Sequence, residues 1–304
     1  MLSSCIRGLG VDSENVRVVF DVRNTEVKSG YSDDKDAVGS LAVLVFSSES
    51  DELLYKEEIS GGHAELYLQK DAPLECHFMV NVPAGSFDEV RDIDDLRESS
   101  SLLADNRHRH IMTGHVSRSF SSDARINVEV FRLCSRIHVD RLVPLFANET
   151  LAASGIIFNG MYLINVSESI GYLGDIVSSD TEGLARDMYE YRYDSLVADR
   201  TPLRTDAYMY CYSGDSDKSV MLVLEFTIAG RTNYYSIELP ALLPNYEYMI
   251  HEIRLHGFGT DKPGEMIDRN ALSFTVTVNP WTDSEDREYR QFCHDDDGEG
   301  LGHI

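Results

Sequence analysis

Val16-Arg17-Val18-Val19-Phe20-Asp21-Val22 places Val16, Val18, Phe20 and Val22 at every second position, with Arg17 and Asp21 between them and Val19 as the exception. Side chains alternate across an extended chain, so this spacing predicts a half-buried β-strand with one apolar face. Similar runs return at Leu41 to Phe46, Ala64 to Leu68, Cys76 to Val82, Ile126 to Val130, Ile137 to Val139, Ile156 to Ile164, Val220 to Ile228, Asn233 to Leu239, Tyr246 to Leu255 and Phe274 to Val278. They are short, rich in β-branched and aromatic residues and separated by turn-forming clusters, which predicts an all-β chain. One or two short helices are expected. One follows Ser86-Phe87-Asp88-Glu89, which fits a capping box and leads to Val90 and Leu96; the weaker spans Glu182 to Tyr189. Neither alternates regularly with strands, so antiparallel sandwiches are expected rather than a parallel βαβ sheet.

At 304 residues, two domains are favoured over one. The small polar stretch Ser119 to Asp123 places the boundary near residue 124, giving domains 1–123 and 124–304. The double strand Arg125 to Val139 and the later run Ile156 to Val166 then suit a hairpin opening the second domain. The segment Asp283 to Ile304 holds eight acids against Arg287 and Arg290 and reads as a solvated acidic tail.

Asp and Glu number 52 against 27 Lys and Arg, a formal charge of −25, which argues against nucleic acid as a partner because a phosphate backbone is held by clustered cations. The longest clean apolar run, Met221 to Leu224, is a strand's worth and far short of a membrane-spanning helix.

The search for chemistry finds little. His108, His110 and His115 could ligate a metal if 108 and 110 shared a strand face, but the cationic stretch Asn106-Arg107-His108-Arg109-His110 reads better as a loop, so no metal site is expected. Asp295-Asp296-Asp297-Gly298 lacks the alternation of a calcium loop. Gly257-Phe258-Gly259-Thr260-Asp261-Lys262-Pro263-Gly264 lacks both the dinucleotide glycine spacing and the Gly-Lys-Ser/Thr ending of a phosphate loop. No G-x-S-x-G elbow or HExxH motif is present, so neither catalysis nor a cofactor is expected. A glycan-processing enzyme would need an inward carboxylate pair, which sequence alone does not reveal among so many acids.

The N-terminal Met1-Leu2-Ser3-Ser4-Cys5 resembles the end of a bacterial lipoprotein signal, in which the Cys is acylated. The charged and apolar regions that precede such a Cys are not in the sequence, so either the chain starts within the signal or Cys5 belongs to an ordinary terminus. The other cysteines, Cys76, Cys134, Cys211 and Cys293, allow three pairings or four free thiols, and their spacing excludes a CxxC motif.

Several separated stretches together resemble the fimbrillin-like proteins of Bacteroidales, the type V pilins. Met112-Thr113-Gly114 followed by Ile126 to Val139 is similar to their core "M-x-G … V-x-V-x-R-L-V-A-K-I-x-V", with Cys134-Ser135-Arg136 where Val-Ala-Lys is usual. Leu41 to Phe46, Tyr162-Leu163-Ile164-Asn165-Val166, Asn233 to Ile237, Asn245 to Tyr248, Gly257 to Pro263 and Val276 to Trp281 follow in the family's order, identifying the chain as a divergent member. The resemblance implies two tandem transthyretin-like β-sandwich domains in a cell-surface fimbrial subunit, exported as an outer-membrane lipoprotein through Cys5. It further implies that an arginine-directed protease removes the first strand and that a neighbouring subunit's strand fills the groove. Val16, Val18, Phe20 and Val22 would then form the displaced strand and Arg23, read as following it directly, the cleavage point, with Lys28 an alternative for a less strict protease. The donor would come from Tyr289 to Cys293 and beyond, although the acidic tail is poorly hydrophobic. The expected partners are other fimbrial subunits, and host or bacterial surface ligands for the alternative role, a tip or anchor adhesin.

Overall fold

The computed structural model describes residues 14–24, 34–146, 155–174, 191–197, 200–214, 218–267, 271–280 and 290–293. In chain order the elements are β1 (Asn15–Asn24), β2 (Ser40–Ser47), β3 (Leu53–Ser60), β4 (His63–Gln69), β5 (Leu74–Val80), α1 (Ile93–Glu98), β6 (Ser100–Leu102), β7 (Met112–Arg118), β8 (Ala124–Arg132) and β9 (Ser135–Pro144). They continue with β10 (Ile156–Ile164), β11 (Ser169–Gly171), β12 (Tyr191–Val197), β13 (Leu203–Cys211), β14 (Met221–Ile228), β15 (Arg231–Glu238), β16 (Tyr246–Leu255), β17 (Leu272–Pro280) and β18 (Arg290–Cys293). The chain is all-β with one short α-helix among the described residues, as its alternation predicts.

Two compact units divide the chain between residues 131 and 132, with residues 100–107 joining the second. The first carries strands in the order β3-β2-β5-β7-β8-β1-β4. Its ladders β3-β2-β5-β7 and β8-β1-β4 pack on one core holding Val18 and Phe20 of β1, Val43 of β2, Phe78 of β5 and Val128 of β8. The rings of Phe20 and Phe78 lie 4.9 Å apart. Where β7 approaches β8 the residue is Gly114, and a Cβ there would stand 2.7 Å from the Glu129 carbonyl oxygen. β2 and β5 are buried on both faces, their second face carrying Ala42, Leu44, Phe46, His77 and Met79.

In the second unit the sheets are β12-β10-β14-β15 and β13-β9-β16-β17-β18, with a small β11-β6 pair. Tyr193 Oη of β12 donates to the Thr205 carbonyl of β13 at 3.0 Å and joins the two larger sheets. The glycine-rich stretch from residue 257 lies over β15. Thr260 N donates to Tyr234 O at 2.8 Å, Tyr234 N returns a bond at 2.9 Å, and a Cβ on Gly259 would stand 2.4 Å from that same Tyr234 oxygen. Gly259 serves close backbone approach, and Gly264 takes a positive φ of 79°.

Three expectations are corrected. Pairing is not wholly antiparallel, because β1 runs parallel to β8 and β9 parallel to β16. The double strand Arg125 to Val139 and the run Ile156 to Val166 do not open the second unit as a hairpin: β8 completes the first unit beside β1, while β9 pairs with β13 and β16 and β10 with β12 and β14. The helix begins seven residues after Ser86, at Ile93, because Asp92 is its N-cap and accepts from the amides of Asp94 and Asp95, whereas Ser86 Oγ donates to Pro83 O in a preceding turn. Of the alternatives that the sequence leaves open for the cysteines, Cys76 and Cys211 are free thiols, and they are buried, as is Cys134. Cys5, the helix candidate Glu182 to Tyr189, and Trp281 lie outside the described residues, as does all of the acidic tail except 290–293.

Candidate functional site

β1 is an internal strand. Its first seven residues pair antiparallel with β4, from Asn15 opposite Gln69 to Asp21 opposite His63. Its last seven pair parallel with β8, from Val18 opposite Ala124 to Asn24 opposite Val130. The register puts Val16, Val18, Phe20 and Val22 on the core side, where all four are buried and Phe20 also meets Phe120 edge-on at 6.1 Å. Burying four such side chains contributes on the order of 6 to 12 kcal/mol gross.

The other face of β1 is held by charge. Arg17 makes a forked pair with Glu65 of β4 at 2.7 and 2.6 Å, and both side chains are substantially exposed. Asp21 ties three strands together, accepting from Arg125 Nε of β8 and meeting His63 Nδ1 of β4 at 3.0 Å. Those two contacts, the Arg125 hydrogen bond first, lower the Asp21 carboxyl to about 2. Val19 is buried on this outer face, between Glu65 and Arg125 in register, whose stems can shelter it.

Both ends of β1 are tied by backbone groups. Lys70 N donates to Glu14 O at 2.7 Å and Val22 N to Gly62 O at 2.7 Å. After residues 25–33 the chain is fixed again independently of β1, since Asn81 accepts from Gly39 N at 2.9 Å and donates to Ala37 O at 3.0 Å. Taking β1 away would turn β4 and β8 into facing edges with an apolar floor between them. Asp21, Arg125 and His63 escape sequence reasoning because their meeting depends on which strands flank β1.

Arg23 is exposed but lies within β1 as its penultimate residue, opposite Glu129. It therefore does not follow the strand, and a protease would have to fray the last turn of the ladder to reach it. Lys28 lies outside the described residues. Of the proposed donor segment, Arg290–Cys293 forms β18 at the edge of its own sheet beside β17. The histidines 108, 110 and 115 do not gather: His108 is exposed, His110 is buried against Asp36 at 2.7 Å, and His115 stands on β7 opposite His77.

No family model matches the chain, and no curated protein matches it in sequence. Solved structures match it in fold. A candidate cell adhesion protein from Parabacteroides distasonis superposes with a TM-score of 0.69 at 18% identity, over 88% of this chain and 97% of that one. A second candidate cell adhesion protein, from Bacteroides eggerthii, gives 0.65 at 17% identity over 90% and 98%. A fimbrilin from Porphyromonas gingivalis gives 0.63 at 13% identity over 88% and 98%. At these identities the likeness shows the fold, which is the fimbrillin fold that the motif order implies.

Proposed function

We propose that the chain is a cell-surface fimbrial subunit, not an enzyme, that assembles by exchanging its first strand for one from a neighbouring subunit. The observation that carries this is the placement of β1: it is laddered on both sides and is the first described element of its unit, so a cut behind it parts it from the other described strands. An incoming strand with apolar residues at alternate positions would restore both ladders and the core face by β-augmentation, with no catalytic residue. The solved proteins of the same fold include a fimbrilin and candidate adhesion proteins, which supports the same reading. Export as a lipoprotein through Cys5 belongs to this proposal, as does Arg23 as the cleavage residue.

Limited digestion of the full chain with an arginine-specific protease tests it. The expected product starts at Asn24 and goes on to form denaturant-resistant oligomers; a cleaved chain that stays monomeric contradicts the stalk role. Fatty-acid labelling of the precursor beside Cys5→Ala tests the anchor, and equal labelling of the two removes it.

A second reading, a tip or anchor subunit that accepts a strand without donating one, is favoured by β18. The donor segment is already paired with β17 in its own unit and continues into Asp295, Asp296 and Asp297. If deleting residues 283–304 abolishes oligomers of the cleaved chain, the tail is a donor and this reading falls.

A further inference from the structure

β5 and β7 bring together three side chains that no part of the assembly scheme uses. Glu75 and His77 alternate with the core residues Leu74, Cys76 and Phe78, so they project from the opposite face of the sheet. His115 stands directly across from His77 in the antiparallel register. One ligand atom from each of the three lies within 4.8 Å of the others. The two imidazole rings are 4.7 Å apart at 38°, and Phe46 packs edge-on against His77 at 5.6 Å, which fixes the ring.

At the centre of the cluster lies a sealed imidazole nitrogen. His77 is 6% exposed, and its Nε2 is sealed from solvent with no hydrogen-bond partner. The nearest carboxylate oxygen, Glu75 Oε2, is 3.7 Å away, too far for a hydrogen bond. An orphaned buried nitrogen calls for a specific explanation, and here the neighbouring groups supply one.

We propose that Glu75, His77 and His115 bind a divalent transition cation of the zinc class. Two imidazoles and a carboxylate suit zinc, nickel or copper, whereas calcium and magnesium take oxygen ligands. Bonds of about 2.05 Å in a tetrahedral site put ligand atoms roughly 3.3 Å apart, so the Glu75 to His77 separation is nearly met already. The remaining closure falls on His115 and Glu75, which are exposed and half-buried and have room to move, while His77 stays fixed. Arg97 is the cation whose charge reaches His77, and it is engaged by Asp94 at 2.6 Å. Three protein ligands leave a fourth position for water or an outside donor. The metal would staple β5 to β7, the strand at which the sheet passes to β8 and hence to β1.

Titration of the metal-free full chain with zinc chloride, read by calorimetry and thermal unfolding, tests this. Wild type is expected to bind one zinc at this site with a rise in Tm of about 5 °C at saturation, while magnesium and calcium leave Tm unchanged. His115→Ala, a change at an exposed position that should leave folding intact, and Glu75→Gln should each weaken binding at least about tenfold, and His108→Ala should not. Cobalt substituted for zinc should show ligand-field bands without a thiolate charge-transfer band. Equal zinc affinity in wild type and His115→Ala, absence of a zinc-dependent Tm shift in wild type, or a thiolate band would each overturn the proposal.

Discussion

β1 and β9 occupy equivalent places in their units and are held by opposite kinds of interaction. Each is internal, with one antiparallel neighbour, β4 or β13, and one parallel neighbour, β8 or β16. β1 presents an apolar stripe inward and ion pairs toward solvent. β9 is locked by buried polar groups. Arg136 pairs with Glu247 at 3.0 Å with little exposure of either side chain, His138 stacks on Tyr208 at 4.2 Å, and Ser135 Oγ donates to Leu243 O at 2.8 Å. Just before β9, fully buried Arg132 donates from Nη1 to Asn245 Oδ1 at 3.0 Å. A buried charge tolerates one partner and penalises its loss, whereas an alternating apolar stripe accepts any strand of similar pattern. Connectivity adds to the contrast: among the described residues β1 is joined to other strands only on its C-terminal side, while β9 continues into described strands on either side.

The largest effect expected from this difference is loss of β1 itself. Cleavage after Arg23 and release of the strand should remove most of the first unit's cooperative unfolding transition in urea, given the 6 to 12 kcal/mol order of its gross burial, and leave that of the second unit. Next come single substitutions of about 3 to 5 kcal/mol in each strand. Phe20→Ala should reach this by opening a core cavity, and Arg136→Ala by stranding Glu247. The two should differ in rescue: replacing Arg136 and Glu247 together by Met and Leu should recover most of the loss, which denaturation of the double variant would show. If Arg136→Ala were neutral, β9 would be no more tightly specified than β1.

The apolar half of this contrast is legible in the sequence, and the polar half is not. Val16 to Val22 announces a strand with one greasy face, and Leu41 to Phe46 a further apolar strand, because these patterns depend only on neighbours along the chain. β3 is passed over because Lys56, Glu57 and Glu58 sit in a strand at the edge of its sheet, where charge is tolerated and alternation is blurred. β7, with Gly114 and His115, carries too few apolar residues to stand out, so the pairing of His115 with His77 stays hidden as well. Ser86 imitates a helix cap while Asp92 is the cap, since only the fold says which backbone amides need an acceptor. The parallel pairing of β1 with β8, more than a hundred residues on, leaves no local trace.

A smaller effect concerns acid. Asp21 has its carboxyl lowered to about 2 in the folded chain from an ordinary 3.8, so its contribution is fully present above about pH 4 and is lost as pH falls toward 2. Asp21→Asn should therefore flatten this part of the acid unfolding curve of the first unit while leaving the second unit's curve unchanged. The smallest effect is expected from Arg17→Ala, whose solvent-exposed pair with Glu65 should add little to stability and should fade further in salt.

The most direct test is a peptide of the sequence Asn15 to Arg23 added to a chain cleaved after Arg23 and freed of its strand. The peptide should bind one to one and restore the first unit's Tm, and a version with Val18 and Phe20 both replaced by Asp should not. A cleaved chain that keeps its full Tm without peptide, or that takes up both peptides equally, would contradict the claim that β1 is a detachable strand recognised by its apolar face.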